Sequence, residues 1–297
     1  TLDSTSLFYG ANQGIEQFTT LENNLVKVQF SNKGGRVISA TLKDYKDQQG
    51  NPLTLFNEKE SAMNFAFEGK NENILTEDMF FQPVNVTDST VTMRLQTTGA
   101  GYIDFAYRLL PESYMVNFDI RAVGMQNFFP TNQKTINIDW FQRARQQEKG
   151  YDFEQRYTSL TYKPVDDGSD YLSEMKDEKE SFEEPIEWIA FKNQFFSSVL
   201  IAQNNFENAT LESVPQEKGS GFMKNYTAEM TTFFDPTGKE ATNLQFYLGP
   251  NHFKTLLASN DLCINKNEDP ELEDLVYLGW PLIRWINRWF TINLFDW

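Results

Sequence analysis

The chain has 297 residues, 40% hydrophobic and 15% aromatic, with 26 lysines and arginines against 42 aspartates and glutamates, a net charge of −16. Its 26 phenylalanines, 12 tyrosines and 6 tryptophans exclude a disordered chain, and a single cysteine (Cys263) with a single histidine (His252) excludes a disulfide framework and a Cys/His zinc site. An evenly acidic chain is a poor partner for nucleic acid, whose phosphates need clustered lysine and arginine, and the sequence lacks the run of roughly 18 apolar residues that a spanning helix requires.

Residues 1–22 are rich in Thr, Ser, Asn and Gln and read as a polar linker or loosely held leader; the opening Thr1–Ser6 has neither the basic nor the apolar region of a signal peptide. Residues 23–250 are dominated by a period of two. Val26, Val28 and Phe30 alternate with Lys27 and Gln29; Ile103, Phe105, Tyr107 and Leu109 share one face against Asp104 and Arg108; Tyr114, Val116, Phe118 and Ile120 repeat the pattern after a Pro111-Glu112-Ser113 turn. Val91–Leu95, Ile136–Trp140 and the segments 188–202, 209–214, 226–234 and 242–248 have the same character. More than a dozen such runs, punctuated by Gly, Pro, Asn and Asp, predict an all-β fold of antiparallel strands in a large sandwich.

Residues 166–187 break the pattern, with ten acidic residues and two lysines, a net of −8 and half of the chain's charge. They read as a solvated excursion between strands; Asp166-Asp167-Gly168-Ser169-Asp170 lacks the spacing and the closing glutamate of a calcium loop. After Gly249-Pro250 the period turns helical, with Asn251 as a candidate cap for a short helix carrying Phe253, Leu256 and Leu257.

Residues 251–297 end in the strongest local signal. Four of the six tryptophans lie at 280, 285, 289 and 297. Behind Trp280 and Pro281, Leu282, Trp285, Ile286 and Trp289 fall on one helical face, with Phe290 beside them, and Arg284, Asn287, Arg288 and Thr291 fall on the other. Tryptophan with arginine on the polar face predicts a helix lying in the bilayer interface, with Trp280, Leu282, Arg284, Trp285, Ile286, Arg288, Trp289 and Phe290 as contact residues.

Three stretches carry a resemblance: Glu22–Tyr45, similar to an opening hairpin; Trp188–Ser198 directly after the acidic segment; and Tyr247–Pro250 followed by Leu275–Leu282 and the amphipathic stretch. Together they resemble the periplasmic domain of the bacterial membrane protein insertase YidC, in family order over nearly the whole chain. Leu278, between Tyr277 and Gly279-Trp280, departs from the family pattern. The resemblance implies a β-supersandwich similar to galactose mutarotase and a place at the periplasmic face of the inner membrane, with the C-terminal helix leading into a transmembrane span. It further implies service in an insertase and chaperone whose partners are nascent membrane proteins, the Sec translocon and the bilayer surface. Neither catalysis, a cofactor nor a metal is expected.

Two rival readings rest on a site. Mutarotase chemistry needs an acid and a base, and the sole histidine, His252, falls at a helix start outside the strands. A carbohydrate- or peptide-binding module could line a groove with Trp140, Trp188 and Phe191, residues that strands more often bury in a core. No G-x-S-x-G elbow, P-loop or dinucleotide fingerprint is present.

Overall fold

A computed structural model describes residues 2–265 and 270–276. In chain order the strands are β1 (Phe18–Glu22), β2 (Val26–Ser31), β3 (Arg36–Lys46), β4 (Pro52–Phe56), β5 (Ser61–Glu68), β6 (Asn73–Leu75), β7 (Gln82–Val84), β8 (Thr90–Gln96), β9 (Tyr102–Leu109), β10 (Met115–Val123), β11 (Thr135–Arg145), β12 (Leu160–Pro164), β13 (Asp170–Tyr171), β14 (Glu178–Phe182), β15 (Ile186–Lys192), β16 (Phe196–Pro215), β17 (Phe222–Phe233) and β18 (Thr242–Pro250). Helix α1 (Tyr151–Gln155) lies between β11 and β12, and α2 (Phe253–Asn260) follows β18.

The predicted alternation becomes the burial pattern. In β8 and β9 every second residue is buried, and the polar partners Arg94 and Asp104 form a two-pronged ion pair at 2.8 Å on the outer side. Strands β1 to β4 form one antiparallel sheet. Its β2–β3 hairpin turns at Gly34 and Gly35 (φ +77° and +60°), a left-handed pair that glycine adopts without penalty, and the Tyr107 hydroxyl donates to the Gly35 carbonyl at 2.7 Å.

The other fourteen strands form a single hydrogen-bonded network in the order β6-β5-β11-β17-β16-β18-β10-β9-β8-β7, with β14 and β15 also on β16 and with β12 and β13 beyond β15. Its pivot is β16, 20 residues long. Phe196–Ala202 runs between β15 and β18, whereas Phe206–Pro215 runs between β14 and β17. At the junction Asn205 has φ +63° and the register slips, so the strand bends and passes from one layer into the other, as corner strands do. The two layers therefore face each other. Phe65 on β5 and Phe105 on β9 are 4.9 Å apart although five strands separate them in the sheet order, and Trp140 on β11 stacks on Phe191 of β15 at 3.8 Å.

Burial on both faces marks the centre. All seven residues of β15 are buried, which a two-layer sandwich does not explain. Residues 251–265 and 270–276 supply a third layer. The side chain of Gln245 on β18 donates to Leu262 O and accepts from Ile264 N–H, and Leu256, Cys263, Leu272 and Leu275 are fully or almost fully buried over the outer face. The polar opening stretch is also held against the sandwich: Phe8 is fully buried, edge-on to Phe128 at 5.3 Å, and Ala11 O accepts from Phe80 N–H at 2.7 Å. Two apolar residues, Phe8 and Ala11, are buried there while Leu7, Tyr9 and Ile15 stay exposed, a form of order that periodicity does not reveal.

Candidate interaction surfaces

The aromatic residues offered for a groove are core. Trp140, Phe191 and Tyr226 form a stack, with Phe191–Tyr226 at 5.2 Å, and Trp188 is fully buried under the C-terminal layer. Between the layers there remains a void of about 10 Å³ beside Gln142 and Ser198, whose Oε1 and Oγ have no partner among the described residues. That is room for about one water molecule, which those two atoms would hold.

His252 occupies the position before the first turn of α2, and its Nδ1 is 2.9 Å from Thr255 Oγ1. Asn251, expected as the cap, acts elsewhere. Its side chain accepts from Ser197 Oγ at 2.6 Å and donates to the carbonyls of Asn193 and Gln194, tying the start of α2 to the β15–β16 turn. The cap position thus falls one residue later than the spacing suggested, because Asn251 has stronger partners on the sheet.

The acidic segment is an excursion whose backbone is gripped from beneath. It contributes β13 to the edge of β12 and β14 to the edge of β16. Three lysines, each at most 5% exposed, lie under or beside it. Lys163 Nζ donates to Asp167 O at 2.7 Å, Lys224 Nζ donates to Glu174 O, and Lys192 Nζ donates to Tyr157 O. Burial pushes Lys192 and Lys224 down to about 8, against the attraction of the Glu174 carboxylate. Glu174 is itself raised by burial. The clamp is invisible in the chain's composition. The signal was present in Trp188-Ile-Ala-Phe-Lys192, a lysine inside an apolar run with no alternation to carry it to solvent. The arrangement holds an acidic, exposed strip in a fixed course, with Tyr171 and Met175 49% and 63% exposed along it.

The C-terminal layer leads toward the tryptophan-rich segment 280–290. Trp188 Nε1 donates to Pro270 O at 2.7 Å, and Asp274 accepts from Ser169 Oγ at 2.7 Å, so the chain is anchored as far as Val276. Trp280, Leu282, Arg284, Trp285, Ile286, Arg288, Trp289 and Phe290 lie outside the described residues. Among the described residues no helix is long and apolar enough to cross a membrane.

Residues 19–292 match the family model described as the YidC periplasmic domain. The chain is 73% identical over 296 residues to a membrane protein insertase YidC of Phocaeicola vulgatus, covering 100% of this chain and 48% of that protein. It is 53% identical over 295 residues to one from Bacteroides fragilis (99% and 47%), and 37% identical over 288 residues to one from Porphyromonas gingivalis (96% and 46%). The chain thus spans about half the length of these relatives. A galactose mutarotase-like protein from Lactobacillus casei superposes with a TM-score of 0.52 at 12% identity, over 78% of this chain and 100% of that one, a likeness of fold alone.

Proposed function

The chain belongs to the YidC periplasmic-domain family, and on that premise we propose that it is the outer domain of a membrane protein insertase and chaperone at the periplasmic face of the bacterial inner membrane. The observation that carries the reading is the family match over residues 19–292. The role is docking and positioning rather than catalysis. Nascent membrane proteins are the substrates of the whole assembly, and components of the Sec translocon are the partners that the resemblance supplies.

The bilayer contact is residues 280–290, with Leu282, Trp285, Ile286 and Trp289 facing the acyl boundary and Arg284 and Arg288 the headgroups. The charge distribution supports this division of labour. Residues 275–297 carry Arg284, Arg288 and Asp296, a net of +1, so the remainder of the chain carries −17 and is repelled by anionic lipid. The test of this contact is flotation with liposomes of mixed zwitterionic and anionic lipids. The whole chain floats and a chain ending at Val276 does not; equal flotation of both, or of neither, overturns the assignment. The insertase role is tested in the full-length protein by replacing this domain with a flexible linker and measuring insertion of a reporter span. Unchanged insertion of every span tested removes the role.

A further inference from the structure

The fold divides the chain's sulfur atoms into two groups. Of the eight methionines, seven are at most 4% exposed, from Met63 on β5 to Met230 on β17, and Cys263 is 1% exposed. Met175 alone is open, at 63%. It lies on the bend between β13 and β14, within the acidic excursion. The backbone on either side holds it there. Leu172 is buried and its N–H donates to Leu160 O at 2.9 Å; Ser173 N–H donates to the Glu178 carboxylate; and Lys224 Nζ donates to Glu174 O. Met175 N–H itself donates to Ser173 Oγ at 3.3 Å. The bend is thus fastened to the sandwich while the Met175 side chain stands in solvent. Methionine ordinarily fills gaps in a core, as the other seven do, and burial does not account for one in a bend otherwise built of Ser, Glu, Lys and Asp.

We propose that Met175 is a selective oxidation site, the one sulfur of the folded chain within reach of a neutral peroxide, and that its oxidation leaves the sandwich intact. The sulfur lone pair attacks one peroxide oxygen and the O–O bond breaks. The departing hydroxide takes the proton of the transferred hydroxyl and leaves as water. The sulfur loses two electrons, the peroxide gains them, and the product is a sulfoxide that methionine sulfoxide reductases reverse. The charge of the excursion, −8 over residues 166–187, repels anionic oxidants and leaves a neutral peroxide unopposed. At the buried methionines the same reaction waits on opening of the structure around them. The sulfoxide makes polar one of the two large apolar side chains exposed on the excursion, the other being Tyr171.

Treatment of the whole chain with millimolar hydrogen peroxide, followed by proteolysis and mass spectrometry of the peptides, tests the proposal. The peptide containing Met175 gains one oxygen atom at least about tenfold faster than any other methionine peptide. In guanidinium chloride all eight methionines oxidise at comparable rates, because the fold no longer sets the order. Met175→Leu removes the fast phase, and the singly oxidised chain keeps the melting temperature of the parent. A second methionine oxidised as fast in the folded chain, a spread of rates as wide in guanidinium chloride, a fast phase that persists in Met175→Leu, or a melting temperature lowered by the first oxygen overturns it.

Discussion

The indole N–H of Trp188 donates to the carbonyl of Pro270 at 2.7 Å across 82 residues of sequence, and joins the most deeply buried strand of the sandwich to the segment that leaves it. Both groups are buried, so each depends on the other: an unpaired carbonyl in that position costs about 1–3 kcal/mol. Trp188→Phe keeps most of the packing and loses the bond, and is expected to lower stability by about that amount. Trp188→Ala adds a cavity and is expected to cost about 3–5 kcal/mol. Chemical denaturation of the three proteins checks the order. Equal stability of Trp188→Phe and the parent removes the bond from the account.

The buried lysines set an alkaline signature. Lys192 and Lys224 are lowered by burial to about 8, while the unfolded chain holds their protons to about 10.5. Between those values the unfolded state binds more protons, so stability rises with pH, by up to about 3 kcal/mol for each lysine. Above pH 10 the buried Tyr107 and Tyr226, whose phenols burial raises well above their ordinary value, reverse the trend because the unfolded chain ionises first. The melting temperature is thus expected to climb from pH 8 toward pH 10 and then fall. Lys192→Met and Lys224→Met should each remove about half of the climb. A melting temperature that declines steadily from pH 8, with no difference in the variants, contradicts the clamp.

The strands were legible because β8, β9 and β10 bury one face against a core, and period two reports that directly. The C-terminal layer was legible only as short helices. Its seat on β15 and β18 was hidden because a strand buried on both faces has no alternation to read, and Trp188 looked like any strand aromatic. The lysine clamp was hidden for a related reason: composition counts Lys163, Lys192 and Lys224 as surface charge, and only the path of the excursion above Lys163 and Lys224, and of the chain after α1 above Lys192, puts carbonyls within reach. The β15–β16 turn escaped notice because its rigidity comes from Asn251, more than fifty residues away in sequence.

Two glycines separate strain from crowding. Gly35 has φ +60° and a Cβ there would meet the Phe81 ring at 2.9 Å, whereas Gly50 has φ +86° with nothing within 4 Å. Gly50→Ala is expected to cost about 1 kcal/mol, from the backbone alone. Gly35→Ala adds displacement of a buried ring and is expected to cost about 2–3 kcal/mol. Thermal melts compare the two. Equal losses would mean that the Phe81 ring yields freely and that the β2–β3 hairpin is not packed as described.

Where the tail is cut decides whether membrane contact or folding is being measured. A chain ending after Asn267 lacks the Pro270 carbonyl and the buried Leu272 and Leu275, and so uncovers Trp188. A chain ending at Val276 keeps all of them. Burying a leucine side chain stabilises by about 1.5–3 kcal/mol, so the shorter chain is expected to lose at least about 4 kcal/mol, counting two leucines and the indole hydrogen bond, and the longer almost nothing. Denaturation midpoints test this before any liposome is added. If the Val276 chain melts with the parent but no longer floats, residues after 276 contact lipid without holding the sandwich together. If it melts as early as the Asn267 chain, those residues pack on the sandwich, and loss of flotation would report unfolding instead of a missing anchor.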